Sequence, residues 1–362
     1  MAIRELNIIG YRSIAKMQLS LNRVNIITGQ NGCGKSNLYK AVHLIAQAAK
    51  GQLAQSFADE GGFPSALWAG ARTKHTRTEP TRLILSVHTD DFNYEFQCGL
   101  PIPSSSAFNL DPEIKEEYVW HGNQRRPGTT LLERKVGSTW VVNQDGVRVS
   151  YPTRLSQTES VLAQLQEPHL YPELSSLTLE MKQWRFYHHF RTDALSPIRK
   201  PQVGVRTPIL SNHGHDLAAA LQTIREIGDR DLLDQVIDRA FPGAILIIQY
   251  DDKLRFETLL KMPDLYRPLE ANELSDGTLR YLCLVAALLS PRPPKLLALN
   301  EPETSLHPDL IAPLAELITQ ASRHSQLWVT THSIRLAELI SEFSGESLIQ
   351  LSMGKNGTIV VS

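Results

Sequence analysis

The residues with the most specific chemistry in this chain are Gly29-Gln30-Asn31-Gly32-Cys33-Gly34-Lys35-Ser36. They fit G-x-x-x-x-G-K-[ST] after an apolar strand pattern and before a helical one, the context that pattern requires. Glycines let backbone N–H groups turn inward around an anion, and the helix start adds a partial positive charge. Lys35 supplies a point charge toward terminal phosphates, and the Ser36 hydroxyl is an oxygen ligand for magnesium. Gly29 to Asn37 are therefore the candidate nucleotide-binding residues. A glycine-rich turn capping an ordinary helix is the plainer alternative.

Three distant segments carry further candidate groups. The apolar residues 296–299 lead into Asn300-Glu301-Pro302-Glu303. Such a strand is buried, and its polar end falls at the carboxyl edge of a parallel sheet. There Glu301 could orient or deprotonate an attacking water. Read alone, a solvated acidic turn explains it too. Leu274-Ser275-Asp276-Gly277-Thr278 precedes a helix with Leu279, Leu282, Cys283, Ala286 and Leu289 on one face. Ser275 or Asp276 as a plain N-cap is the simpler reading, but a Ser and a Gly at a helix start also make an anion site. Thr331-His332-Ser333 follows the apolar strand Gln326–Thr330, where a lone histidine is more often structural.

The elements that must position these groups follow from composition and periodicity. The chain has 362 residues, 42% apolar and 21% charged, which is ordinary for a globular protein with one large or two modest cores. A net charge of −1 leaves nucleic-acid contact to local patches. Cys33, Cys98 and Cys283 are odd in number and widely spaced, which suits a reducing compartment and offers no disulfide framework. No apolar run approaches a membrane span of about 20 residues, and residues 1–10 read as a strand rather than a signal peptide. A cytoplasmic chain with no membrane partner is expected.

Residues 3–28 alternate as strands, and 35–49 place Leu38, Ala41, Val42, Ile45 and Ala49 on one helical face. Residues 51–80 carry little periodicity. Strands are expected at 81–88, 94–100, 118–120, 130–135 and 139–142, with turns at Val136-Gly137-Ser138 and Gln144-Asp145-Gly146. Helical pattern returns at 157–184, broken at Pro168 and Pro172, and again at 215–240. A strand at 184–190 and a hairpin over 244–260 lie between them and the last hundred residues, which alternate helix and strand. No heptads occur, so no coiled-coil arm is expected.

Together the four segments, in this order and spacing, resemble the ATPase heads of ABC type. The chain is similar to the RecF/SMC/OLD-like branch and most to small stand-alone bacterial AAA family ATPases. Gly10-Tyr11-Arg12-Ser13-Ile14, Glu303-Thr304-Ser305-Leu306-His307-Pro308 and His189-Phe190-Arg191-Thr192-Asp193 carry that closer match. The resemblance covers essentially the whole chain. It implies an α/β head with a mixed sheet around the phosphate loop, a flanking antiparallel β-subdomain over 81–150 and a helical lobe bearing the Ser-x-Gly segment. Residues 1–200 would form the N-terminal part of the head, including a helical segment at 157–184. The helical lobe would span 201–290 and the C-terminal part of the head 291–362.

The resemblance also implies a mechanism. Two heads would sandwich ATP and Mg2+, with Ser275 and Gly277 facing the γ-phosphate held by the other subunit's loop. Glu301 would be the water-activating carboxylate, His332 the γ-phosphate sensor, and Arg12 a neighbour of the nucleotide. The turn Ser305-Leu306-His307 would cross the dimer interface. Such heads usually carry Asp where this chain has Asn300, a magnesium position with Ser36. Asn keeps an acceptor but loses the charge that a hard cation prefers, so weak magnesium binding and slow turnover are expected. Gln97 and Gln183 are the candidates for the glutamine that links nucleotide to the helical lobe.

Three functions follow from the resemblance. The first is a DNA-linked ATPase of repair or anti-phage defence, whose closure exposes or hides a surface for DNA or a separate effector. The short stretch after His332 leaves no room for a nuclease domain, so any cutting would be a partner's. The second is a nucleotide-gated interaction module with little hydrolysis, which Asn300 favours. The third, a transporter ATPase, is opposed by the β-rich insert and by Asp276 and Thr278. Weaker signals are His188-His189 with Asp193 and His213-x-His215-Asp216, which have metal-ligand residue types without a full spacing. Arg72, Lys74, His75, Arg77 and Arg82, with Arg125-Arg126 and Arg199-Lys200, are either solvated surface or phosphate-backbone contacts.

Overall fold

In the computed structural model the described residues are 2–70, 82–135, 137–152, 155–165 and 167–361. The chain divides into two units, one of Met1–Asn22, Gly29–Trp184 and Ile349–Ser362, the other of Arg23–Thr28 and Arg185–Leu348.

The first unit is built on an antiparallel sheet. Ile3–Tyr11 alternates buried and exposed positions and pairs with Ile14–Ser20 through a tight turn at Arg12-Ser13, with Tyr11 opposite Ile14. On the other side it pairs with Leu83–Thr89. Asn93–Gly99, Glu113–Trp120, Thr130–Lys135, Ser138–Val142 and Arg148–Ser150 continue the sheet in chain order. A C-terminal hairpin of Leu348–Gly354 and Gly357–Val361 joins at Gly357 opposite Ile14. The helix Lys35–Ala49 buries more than one face, including Tyr39, Leu44, Ala46 and Ala48, because it packs against Val161–Gln164 and Pro172–Lys182 as well as the strands. Pro172 sits in the first turn of its helix, where a missing N–H costs nothing.

The α/β class and the antiparallel sheet in the middle of the chain are as expected, with two local differences. Glu113–Trp120 is longer than the three residues read from the pattern, because Glu117 faces inward and is fully buried. That acid pairs with Arg134 at 3.4 Å and accepts hydrogen bonds from the Tyr94 and Ser160 hydroxyls and the Val161 N–H. Buried charge is tolerated when paired and hydrogen-bonded in this way. Within 51–80, Leu53–Asp59 and Phe63–Ala66 are short helices joined by the buried pair Phe57 and Phe63, edge to face at 5.1 Å. Arg72, Lys74, His75 and Arg77 lie outside the described residues, as does Val136 of the expected turn. Arg82 is paired with Glu116 at 2.6 Å.

The second unit holds a parallel sheet ordered Arg185–Tyr187, Leu296–Asn300, Gln326–Thr330 and Val24–Gly29. All of Leu296–Asn300 and Gln326–Thr330 are buried, as expected of strands covered on both faces. Helices Leu217–Ile227, Asp276–Leu288, Ile311–Ala321 and Ile334–Ser344 bury their apolar faces in this unit's core. Asp276–Leu288 differs from the single face read from its spacing: every residue from Leu279 to Leu288 is buried. The hairpin expected over 244–260 is present as Ile245–Tyr250 and Arg255–Lys261, and Gln202–Val203 and Leu269–Glu270 extend it into a small antiparallel sheet. Among the described residues, no helix is long and apolar enough to cross a membrane.

Candidate active site

The phosphate-loop residues belong to the first unit. The helix Lys35–Ala49 starts at Gly34 with no side-chain cap and no acidic residue in its first turn. Its leading N–H groups and dipole are therefore left for an external anion. Gly29, Gly32 and Gly34 have φ of 149°, 78° and 103°. Lys35 is only 5% exposed, and its ammonium donates to the carbonyls of Gly29 at 2.6 Å and Gln30 at 3.1 Å. The charge is thus held inside the loop. Ser36, Gln30, Asn31 and Gly32 are exposed, Asn37 is half-buried and Cys33 is buried.

Gly34 is required by a close approach. A Cβ there would sit 2.2 Å from Thr358 Oγ1 and 2.9 Å from Ser13 Oγ. Those hydroxyls are 2.7 Å apart, Asn37 Nδ2 donates to Ser13 Oγ at 2.8 Å, and the Thr358 N–H donates to the Ser13 carbonyl at 2.8 Å. The loop therefore rests on the first hairpin's turn and the C-terminal hairpin. Arg12, in the left-handed region at φ 47°, is committed to Glu60 at 2.7 Å, which also accepts from the Tyr11 hydroxyl at 2.7 Å.

The acidic turn belongs to the second unit. Asn300 is buried and its Oδ1 accepts from Thr330 Oγ1 at 2.7 Å. Glu301 has φ 47°, a costly conformation for a residue with a Cβ. Its N–H donates to the Thr330 carbonyl at 2.8 Å, and its own carbonyl accepts from Arg280 at 3.0 Å. The Glu301 carboxylate lies 2.8 Å from His332 Nε2. Arg280 is 5% exposed, and burial pulls its guanidinium below its ordinary range, opposed by Glu303, Cys283 and Glu301. Glu303 Oε1 accepts from the Thr331 hydroxyl at 2.6 Å and the N–H groups of His332 and Ser333 at 2.9 and 3.1 Å. One carboxylate thus fixes the whole Thr-His-Ser segment, while Ser333 caps the next helix.

Ser275 caps Asp276–Leu288, accepting from the Thr278 N–H at 3.1 Å. A Cβ on Gly277 would lie 2.5 Å from the Ser305 carbonyl, so only glycine admits the turn that carries Ser305, itself at φ 64°. These residues, with Phe241 and His307, line a groove of about 640 Å³.

Arg280 was not singled out from the sequence; Glu303 was named only within its motif, and Arg199, which is paired with Asp276, only within a basic cluster. Arg280 had a signal, a lone charge in an apolar helical run. Gln97 is tied to Arg82 and Glu95 and Gln183 is an exposed C-cap. Among the described residues no group of three or more His, Cys, Asp or Glu side chains could hold a metal ion. His215 instead meets the Ser211 hydroxyl at 3.0 Å, and His189 lies 3.4 Å from Arg280.

Residues 24–338 match a family model described as "AAA domain, putative AbiEii toxin, Type IV TA system". The chain is 28% identical over 112 residues to phosphate import ATP-binding protein PstB 1 of Synechococcus sp. strain JA-3-3Ab, covering 31% of this chain and 35% of that one. It is 23% identical over 270 residues to phosphate import ATP-binding protein PstB of Mycoplasma capricolum, 74% of this chain and 82% of that one. The first of these matches thus spans about a third of the relative's length. A crystal structure of the SmcHead bound to the C-winged helix domain of ScpA is similar in fold, with a TM-score of 0.57, 16% identity and coverage of 100% and 97% of the two chains. An Smc head domain with an extended coiled coil, bound to the C-terminal domain of ScpA from Pyrococcus furiosus, has a TM-score of 0.53, 15% identity and coverage of 99% and 96%.

Proposed function

The chain belongs to this AAA-domain family and has the fold of an ABC-type, SMC-like ATPase head, and on that premise we propose that it binds ATP, closes as a homodimer around it and hydrolyses it slowly. The observation that carries the reading is the phosphate loop: an uncapped helix start with a nearly buried lysine ammonium held inside it. No solvated glycine turn needs to bury a lysine, whereas a triphosphate site does.

Gly29 to Asn37 hold the triphosphate, with Arg12 nearby. Ser275 and Gly277 act in trans on the nucleotide of the second subunit. Glu301 orients the attacking water and His332, within hydrogen-bond reach of that carboxylate, senses the γ-phosphate. The strained backbone at Glu301, fixed from both sides by Thr330 and Arg280, keeps the carboxylate from swinging away. Ser36 and Asn300, the positions the resemblance implies, would hold magnesium, which would neutralise charge on the phosphate oxygens. Within its own unit Ser36 is exposed, and within its own unit Asn300 Oδ1 is neutral and already accepts from Thr330. A hard cation is held less firmly by such a donor, which favours slow turnover.

Closure would expose or hide a surface for DNA or a separate effector, in repair or defence inside the cytoplasm. A toxin–antitoxin family description supports an effector as partner. The same Asn300 supports the second reading, a nucleotide-gated module whose ATP-closed state matters more than its turnover.

Turnover and oligomeric state should be measured together, with and without DNA, for wild type and Glu301→Gln. Loss of the base is expected to lower turnover by about 10²- to 10⁴-fold and to trap an ATP-stabilised dimer. ATP binding by both proteins without hydrolysis or dimerisation by either would sink the sandwich mechanism.

A further inference from the structure

Arg199 ends the short turn Pro197–Arg199, and its side chain is 10% exposed. Its Nη1 donates to the carbonyls of Ala271 at 3.2 Å, Asn272 at 3.3 Å and Leu274 at 2.7 Å. Its Nε donates to those of Thr192 at 2.8 Å and Asp193 at 3.2 Å. Its Nη2 meets Asp276 Oδ1 at 2.6 Å. One guanidinium therefore gathers the carbonyls of the segment that runs into Ser275 and ties that segment to the 192–193 loop. A planar fork of five N–H donors can do this; an ammonium on a flexible stem cannot.

Asp276 makes this more than a loop clamp. Its carboxylate is 60% exposed, in the first turn of the helix that Ser275 caps, between Ser275 and Gly277. An acid in a first turn stabilises the helix through its dipole, but a bare carboxylate at that place opposes the approach of a phosphate. Arg199 removes the conflict, because its charge is held against that carboxylate by a frame of carbonyls.

We propose that Arg199 is a positioning residue that shapes the Ser275–Gly277 segment and cancels the Asp276 charge, so that the segment accepts the triphosphate of a second copy. This rests on the sandwich reading above. Asp276 then serves as the anchor for Arg199 and takes no part in binding the nucleotide.

The test compares wild type, Arg199→Gln, Arg199→Lys and the double variant Arg199→Gln/Asp276→Asn. ATP-dependent dimerisation is followed by light scattering, and binding of a fluorescent ATP analogue is measured at dilutions where the protein is monomeric. Arg199→Gln should leave monomer binding within about twofold and raise the ATP concentration for half-dimerisation roughly tenfold or more, the scale of a like charge placed against a phosphate. Arg199→Lys should recover only part, since it restores charge without the fork. The double variant should dimerise at lower ATP than Arg199→Gln, and the single-variant defect should shrink as salt rises, because an exposed charge is screened. A purely structural arginine would give neither the recovery nor the salt dependence.

If the double variant is no better than Arg199→Gln, charge cancellation is wrong, whatever the thermal stabilities are. Normal dimerisation by Arg199→Gln overturns the proposal entirely. A wild type that binds ATP without dimerising fails at the sandwich reading itself, and the role assigned to Arg199 falls with it.

Discussion

The phosphate loop and the acidic turn Asn300–Glu303 both bend the backbone into left-handed conformations, and the chain holds them by opposite means. In the loop the bends fall on glycines, and the neighbours of Gly34 are two hydroxyls close enough to forbid a methyl group. In the turn the bend falls on Glu301 itself, with Ser305 a few residues on. Each such non-glycine position costs on the order of 1–3 kcal/mol, offset by polar groups brought from elsewhere: Arg280 on the Glu301 carbonyl, and Glu303 on the segment around His332. The loop is therefore specified by an absence of side-chain volume and the turn by the presence of buried charge. Adding a methyl should break the first, and deleting charge should break the second.

Gly34→Ala is the hardest blow to the loop. The added Cβ meets Thr358 Oγ1 at 2.2 Å and inherits a φ of 103°. Overpacking typically costs about 1–3 kcal/mol, and alanine at a positive φ adds roughly another 1 kcal/mol. Nucleotide affinity should fall by about 100-fold or more, the equivalent of those costs at 1.36 kcal/mol per decade. Thr358→Ala in the same chain removes the steric part and leaves the φ penalty, so it should recover some affinity without restoring it fully. Titration of a fluorescent nucleotide against the single and double variants checks this. No recovery would mean that the C-terminal hairpin does not set the shape of the loop.

This difference in construction explains what the sequence made legible. The loop could be read because its specification is local: eight consecutive residues state both the glycines and the lysine. The apolar runs before Asn300 and Thr331 were equally plain, since a parallel strand covered on both faces leaves a continuous hydrophobic signature. What escaped was long-range. Arg199 and Asp276 are 77 residues apart, and Glu303 and the His332 N–H are 29 apart. No spacing rule announces either pairing. Glu117 fell outside the strand read at 118–120 for a related reason: an acid beside an apolar run gives no sign of burial unless its buried partner, Arg134, is known. The helix Asp276–Leu288 was read with one face, Leu279, Leu282, Cys283, Ala286 and Leu289; Arg280 and Tyr281 lie outside that set, and both are buried.

Arg280→Met attacks the turn at similar side-chain length. It leaves the Glu301 carbonyl without its donor and removes the buried cation that faces Glu301 and Glu303. Losing a charged hydrogen bond costs about 1.5–3 kcal/mol, which should appear in denaturant unfolding of the variant. The kinetic signature should be the reverse of that for Gly34→Ala: kcat falls several-fold while nucleotide affinity stays close to wild type, because the loop's own contacts are untouched. A variant that loses affinity and keeps kcat would dissolve the contrast between the two regions.

Glu303→Gln is the gentlest test and the sharpest. Glutamine keeps an oxygen where Oε1 accepts from Thr331, His332 and Ser333, so the geometry can survive while the charge is lost. Charge-assisted hydrogen bonds are roughly twice as strong as neutral ones, and the new amide N–H₂ would occupy the place of Oε2, which is buried without a partner. The expected cost is about 1 kcal/mol, read as a turnover decrease of no more than about tenfold. Glu303→Ala, which strands three donors at once, should cost clearly more in both stability and turnover. If the two variants are equally impaired, the carboxylate acts through its charge on Arg280 rather than through the three donors it gathers. The turn would then be held by a single electrostatic pair, and Arg280→Met combined with Glu303→Gln should be no worse than Arg280→Met alone.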